Sequence, residues 1–486
     1  MRLGGGERAM NERAAVPAAE KAAEQCCIGP GCGARFRLGE RIYICPRCGG
    51  PLEIQCEWKI PADARALRQR WMERGASREA LDRSGVWRFR ELLPFPAGVA
   101  AVTLFEGNTP LYDAPRSAAY AGLARLQLKH LGCNPTGSFK DTGMTVAVTQ
   151  AVLLGARTVI CASTGNTAAS LAAYAARAGL QCAILVPRGQ ITAAKLAQSM
   201  DYGAAVLEID GNFDDAMRLV QELAADPAVY LANSINPFRI EGQKTVAFEL
   251  LEQRSWELPD HVVVPGGNMG NSSALAKGFG ELARLGLIPR LPRLHVIQAE
   301  GAAPLARLFA RLDPAQRRGG ASSLPSEIAA VEAPQTLATA IKIGAPVSWQ
   351  KSLRGVLESG GEVLAVSEQE IADAKAIIGR DGVGCEPASA TTVAGIRKLV
   401  AAQRIRREES VVAVLTGHVL KDPDYVSQYH RGTLALRAGE GSEAKTLLTI
   451  SGSFRNAPER VGATREAVLE SLERKQKEPF PPRGGS

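Results

Sequence analysis

The chain has 486 residues, enough for two or three hydrophobic cores. Apolar residues make up 45% and charged residues 22%, which excludes a disordered or fibrous chain. Lysine and arginine exceed aspartate and glutamate by 58 to 50, but the excess is spread out, with no basic run beside an aromatic platform, so nucleic acid is not an expected partner. No stretch reaches the ~18 apolar residues of a membrane span, and the arginine-bearing start lacks the apolar centre of a secretory signal. The cytoplasm is the expected address.

Residues 1–25, rich in alanine and glutamate, read as a disordered tail. A small module is expected over 26–60. Cys45-Pro46-Arg47-Cys48-Gly49-Gly50 is a knuckle: two thiolates on a tight turn, with glycines that let the backbone fold around an ion. Cys27 and Cys32 supply a second pair, with Cys26 competing for the place of Cys27. Four thiolates suit a tetrahedral Zn²⁺ with no open position, a structural site; unrelated surface cysteines are the other reading. Cys133, Cys161, Cys182 and Cys385 lie among apolar residues and are expected to stay reduced.

Over 61–440 short β-rich runs alternate with helical stretches. Strands are expected at 125–130, 158–161, 183–186, 205–209, 261–264, 294–298 and 410–415. Helices are expected up to residue 150 and over 166–178, 193–200 and 213–224. Continuous apolar strands between helices indicate an α/β fold with parallel sheets covered on both faces. Residues 441–486 form a polar C-terminal extension, frayed from about Lys475.

In such sheets ligands bind at the carboxyl ends of strands, where helix N-termini offer free N–H groups. Four of these loops are rich in small polar residues. In Asn134-Pro135-Thr136-Gly137-Ser138-Phe139-Lys140-Asp141, Ser138 is placed to cap a helix and Lys140 to lie in its first turn. The helix dipole there disfavours an ammonium and favours the neutral amine that condenses with an aldehyde. Ser163-Thr164-Gly165-Asn166-Thr167 opens an alanine-rich helix. Gly266-Gly267-Asn268-Met269-Gly270-Asn271 lets successive N–H groups converge on an anion. Thr416-Gly417-His418 ends the run from Val411 to Leu415. Each alone also suits an ordinary cap or turn.

Together, in order and wording, these loops resemble those of pyridoxal-phosphate (PLP) enzymes of the tryptophan-synthase-like fold, and most closely the threonine synthase family. Trp87–Pro94 and Glu106-Gly107-Asn108-Thr109-Pro110-Leu111 are similar to that family's lead-in. The resemblance implies two parallel or mixed-sheet α/β domains with PLP between them, preceded by the zinc-ribbon-like module. It makes Lys140 the Schiff-base lysine and places Asn166 on the cofactor's 3′ oxygen. The turn Gly267, Asn268, Met269, Gly270 and Asn271 would hold the cofactor's phosphate, and Thr416 would meet the pyridine nitrogen.

Asn233-Ser234-Ile235-Asn236-Pro237-Phe238-Arg239 resembles the family's substrate-phosphate site. It implies that Asn233, Ser234, Arg239 and Thr167 bind O-phospho-L-homoserine, which the enzyme would turn into L-threonine by γ-elimination and β-hydration. Cysteate synthase, using O-phosphoserine and sulfite, and serine/threonine dehydratase share this fold. A PLP-free regulatory protein on the same fold is the alternative of another class. Homodimers are common in this fold.

Overall fold

The computed structural model describes residues 23–58, 64–96, 98–188, 193–318, 324–438 and 445–477. Strands β1 (Ala23–Cys27), β2 (Arg35–Arg37) and β3 (Leu52–Cys56) form an antiparallel sheet in the order β2-β1-β3. It begins three residues earlier than expected. The buried Gln25 side chain donates to Arg37 O (2.9 Å) and Glu40 O (2.8 Å), so this stretch is tied into the module. The rest of the expected tail lies outside the described residues.

β4 (Leu111–Asp113) and β5 (Leu126–His130) open a larger sheet. The chain leaves it to build a separate parallel sheet from β6 (Thr158–Ala162), β7 (Gln181–Pro187), β8 (Ala205–Ile209) and β9 (Val229–Leu231), in the order β8-β7-β6-β9. It then returns with β10 (His261–Pro265), β11 (Arg293–Ala299), β12 (Val363–Val366) and β13 (Val411–Leu415). The six strands run β12-β11-β10-β13-β5-β4, and only the β4–β5 pair is antiparallel.

Each strand shows why its sequence is continuously apolar. Val262 and Val264 enter one core while Val263 enters another on the opposite face, and all three are fully buried. Val159 and Cys161 against Ile160 and Ala162 repeat this in the smaller sheet. Burying one such valine is worth roughly 1.5–3 kcal/mol, so a polar residue at any of them would unbalance its core.

The helix that opens with Lys140 (Lys140–Leu153) crosses the short helix Phe238–Gln243 at Gly143 and Gly242. A Cβ at Gly242 would collide with Thr142 O, and one at Gly143 would stand 2.7 Å from Gln243 Nε2. Two glycines therefore allow the approach that puts Arg239 beside Lys140.

The C-terminal end of the chain holds more order than the polarity of residues 441–486 suggested, and its hairpin starts before that extension. β14 (Ala435–Ala438) and β15 (Lys445–Thr449) pair antiparallel, and a helix spans Arg465–Lys477, past the expected point of fraying. Leu434 and Ile450, at the base of the hairpin, bury against Tyr425 and Tyr429 and anchor it. The last nine residues of the predicted frayed end lie outside the described residues.

Candidate active site

The loop before Lys140 is pinned to the end of β13. Phe139 N donates to Thr416 O (2.9 Å) and His418 N to Gly137 O (2.9 Å), with Gly137 in the left-handed region at φ +84°. The buried carboxylate of Asp141 accepts from Thr136 N (2.7 Å), Thr136 Oγ1 (2.6 Å) and Ser170 Oγ (2.6 Å), which fixes the loop to the Asn166 helix (Asn166–Ala178). Ser138 is not the helix cap expected of it. Phe139 holds that position with helical backbone, and Ser138 Oγ accepts the Lys140 N–H from one residue earlier (3.3 Å).

Burial is the main reason that Lys140 is lowered to about 7, and the nearby Arg239 cation adds to it; Glu386 opposes them. Burial acts in the same direction as the helix dipole, towards the neutral amine. Lys140 Nζ lies over the Phe139 ring, 3.8 Å from its centre.

Asn166 and Thr416 meet on a residue that sequence reasoning left out of the site. Asn166 Nδ2 donates to Glu386 Oε2 (3.0 Å), and Thr416 Oγ1 donates to Glu386 Oε1 (2.9 Å). Burial raises Glu386 above the usual carboxylate range. Ser389 Oγ accepts from Thr416 N (2.8 Å) and Gly417 N (3.2 Å). Glu386 stands just before the helix Pro387–Ala401, where a carboxylate also complements the helix dipole. The local signal was Glu386-Pro387 at a helix start; its partners come from strands and loops distant in sequence.

The turn after β10 is shaped by contact. A Cβ at Gly266 would stand 2.6 Å from Val296 Cγ1, and one at Gly267 3.1 Å from Ile341 Cγ2. Met269 takes φ +65°, and the fifteen-residue helix Gly270–Arg284 then begins with no side-chain cap among the described residues. The five expected residues come together in unequal ways. Met269 sends its side chain into the core. Asn268 donates Nδ2 to Ser234 Oγ (2.7 Å) and accepts from Val347 N (2.6 Å). Asn271 is buried, and neither atom of its amide has a partner among the described residues. An unsatisfied buried amide costs free energy unless a ligand answers it.

Arg239 is 3% exposed, donates Nη1 to Ala232 O (3.2 Å), and leaves Nε without a partner. Among the described residues no carboxylate pairs with it. Burial lowers it to about 10, so it remains a cation at neutral pH. Asn233 differs from expectation. Its two amide hydrogens go to Ala162 O (2.9 Å) and Met217 Sδ (3.2 Å), and its Oδ1 accepts from Ala162 N (3.0 Å). It therefore joins the ends of β6 and β9 and has no free donor. Ser234 still has its hydroxyl hydrogen to offer, and Thr167 lies half-buried in the first turn of the Asn166 helix.

At the N-terminal module the sulfurs of Cys27, Cys32, Cys45 and Cys48 all lie within 4.8 Å of one another. Cys27 and Cys48 are 3.4 Å apart, Cys32 and Cys45 3.7 Å. Thiolates about 2.3 Å from one tetrahedral ion stand at about such separations, so the set fits zinc. Cys26 points elsewhere, and Cys27 takes the place for which the two competed.

Residues 102–417 match the family model described as pyridoxal-phosphate dependent enzyme. The chain is 46% identical over 404 residues to threonine synthase of Methanocaldococcus jannaschii, covering 82% of this chain and 93% of that one. It is 45% identical to threonine synthase of Methanosarcina acetivorans, covering 81% and 92%. Its fold resembles the fungal L-serine ammonia-lyase of Rhizomucor miehei at TM-score 0.55 and 19% identity, over 68% of this chain and 99% of that one. A lysine with a lowered pKa, a glycine turn before a long helix and this degree of likeness agree, and the chain belongs to the pyridoxal-phosphate dependent enzymes, within the threonine synthase family.

Proposed function

We propose that this enzyme converts O-phospho-L-homoserine and water to L-threonine and inorganic phosphate. The observation that carries the reading is the buried guanidinium of Arg239, which has no carboxylate partner among the described residues and lies near enough to Lys140 to lower its pKa. A desolvated planar cation suits a phosphate dianion. The similar proteins named threonine synthase support the same substrate.

The residues fit PLP. Lys140 offers an amine that is free near neutral pH, and Asn271 and the Gly266–Gly270 turn offer neutral donors to a phosphate. When bound, PLP supplies the electron sink that lets hydrogens leave the substrate's Cα and Cβ. Lys140 Nζ carries those protons from Cα and then Cβ. Asn166 and Thr416, restrained by Glu386, orient the cofactor's ring. Arg239, with Ser234 and Thr167, holds the phosphate on Cγ and retains it after the C–O bond breaks. A proton is then returned to Cγ, which becomes the methyl group. Water adds its hydroxyl at Cβ beside the retained anion, and Lys140 Nζ gives a proton back to Cα as the product forms. Asn233 sets the strand ends that frame this pocket.

The test is phosphate release with product analysis. O-phospho-L-homoserine should yield phosphate and L-threonine in equal amounts. Release only from O-phosphoserine with sulfite, or turnover of L-serine alone, would replace this reading.

We also assign one structural zinc per chain to Cys27, Cys32, Cys45 and Cys48; metal analysis of protein purified under reducing conditions should find about one equivalent, and finding none would remove the assignment. A reducing cytoplasm suits the ten cysteines, all of which are free thiols in the structure.

A further inference from the structure

We propose that Tyr43 is a positioning residue for the substrate-phosphate pocket, holding β9, and through it Arg239, from the cysteine module. The inference rests on the assignment of Arg239 to the substrate's phosphate.

β9 is an edge strand of the smaller sheet, and among the described residues no strand pairs with its outer side. Tyr43 Oη accepts from Leu231 N at 2.9 Å, which takes up a donor the sheet does not use. The Tyr43 ring meets the Tyr230 ring edge-on at 5.8 Å, so hydroxyl and ring both grip the strand. From that point two short routes reach Arg239. Leu231 O accepts from Asn236 Nδ2 (2.8 Å), and Asn236 Oδ1 accepts from Phe238 N (3.0 Å) at the start of the helix carrying Arg239. One residue beyond Leu231, Ala232 O accepts from Arg239 Nη1. The guanidinium is thus aimed by a carbonyl adjacent to the residue that Tyr43 holds.

Tyr43 is itself held. Cys45 lies two residues on, within the four-sulfur cluster. Leu38 O accepts from Gln150 Nε2 (3.0 Å), and the Arg41 guanidinium donates to Leu154 O, so the stretch 38–43 is clamped to the far end of the Lys140 helix. The module thus braces two elements of the site: the helix that presents Lys140 and the strand β9, whose end positions the helix carrying Arg239.

Tyr43→Phe tests this in the holoenzyme, since it keeps the ring and removes the acceptor. The KM for O-phospho-L-homoserine and the inhibition constant for inorganic phosphate should both rise roughly three- to tenfold, the effect of leaving one buried donor unanswered. kcat and the PLP absorbance should stay as they were, and the Leu231 amide should exchange faster. Tyr43→His, which restores an acceptor on a ring, should recover part of the loss. A lowered melting temperature with KM and phosphate inhibition unchanged would make Tyr43 a packing residue and overturn the proposal; loss of PLP would overturn it equally. Arg239→Ala separates the two layers. If that variant handles the phosphorylated substrate normally, the underlying assignment fails. If it loses phosphate recognition while Tyr43→Phe does not raise KM, only the role of Tyr43 fails.

Discussion

The Gly266–Asn271 turn and the Arg239 pocket are joined by the hydrogen bond from Asn268 to Ser234, yet they offer an anion opposite kinds of partner. The turn offers backbone N–H groups, the N-terminus of a fifteen-residue helix and the neutral amide of Asn271. The pocket offers a buried full charge whose only hydrogen bond among the described residues goes to Ala232 O. A resident cofactor is held by many neutral donors that need no countercharge when the site is empty. A phosphate that arrives and leaves each turnover would be matched by one strong cation, whose burial an ion pair with that phosphate would offset. On the proposed assignment, that difference would separate the two phosphates of the reaction by chemistry as well as by place.

Substitution of Lys140 should have the largest effect and should leave both corners standing. Lys140→Ala should lower turnover by about three powers of ten or more, because it removes the proton carrier, while PLP is still retained non-covalently. Borohydride should fix PLP to Lys140 in the parent protein and to nothing in the variant; label on another lysine would contradict the assignment.

Arg239→Ala comes next. Loss of one partner of a buried charged pair costs about 2–5 kcal/mol, so kcat/KM for O-phospho-L-homoserine should fall at least tenfold. Arg239→Lys keeps the charge without the fork and should recover only part. Asn271→Ala works at the other corner. One lost hydrogen bond to the cofactor's phosphate should weaken PLP by about tenfold or less and leave the substrate KM in place, as equilibrium titration of the apoprotein would read.

The smallest effect concerns pH. Lys140 reacts as the free amine, and its folded pKa is depressed to about 7. The rate at which apoprotein takes up PLP should therefore fall with decreasing pH below about 7 and level off above it. Because the Arg239 cation contributes to the depression, Arg239→Ala should move the break to higher pH. A rate that climbs steadily towards the ordinary lysine range in the parent protein would refute the burial argument.

Much of this site is readable in the sequence because its parts are local. Strands such as Val411–Leu415 are buried on both faces and spell themselves as apolar runs. The loops at their ends carry glycine, serine, threonine and asparagine where backbone must approach a ligand. What depends on distant partners is not readable. Glu386 becomes a hub only because the helix start at Pro387 lies against β13 and the Asn166 loop. Asn233 is spent on Ala162, a residue of another strand. The β14–β15 hairpin escaped notice because all five residues of β15 are exposed, which leaves no apolar alternation to read. Tyr43 looks like an ordinary module residue until Leu231 is seen beside it.

The central claim, two phosphates held by two separate corners, is tested most directly by measuring two constants on two variants. Inorganic phosphate inhibition and PLP affinity would be determined for Arg239→Ala and Asn271→Ala under the same conditions. Arg239→Ala should lose phosphate inhibition and keep PLP, and Asn271→Ala should weaken PLP and keep phosphate inhibition. Variants that each impaired both constants to the same degree would contradict the account, because one shared anion site would then explain them.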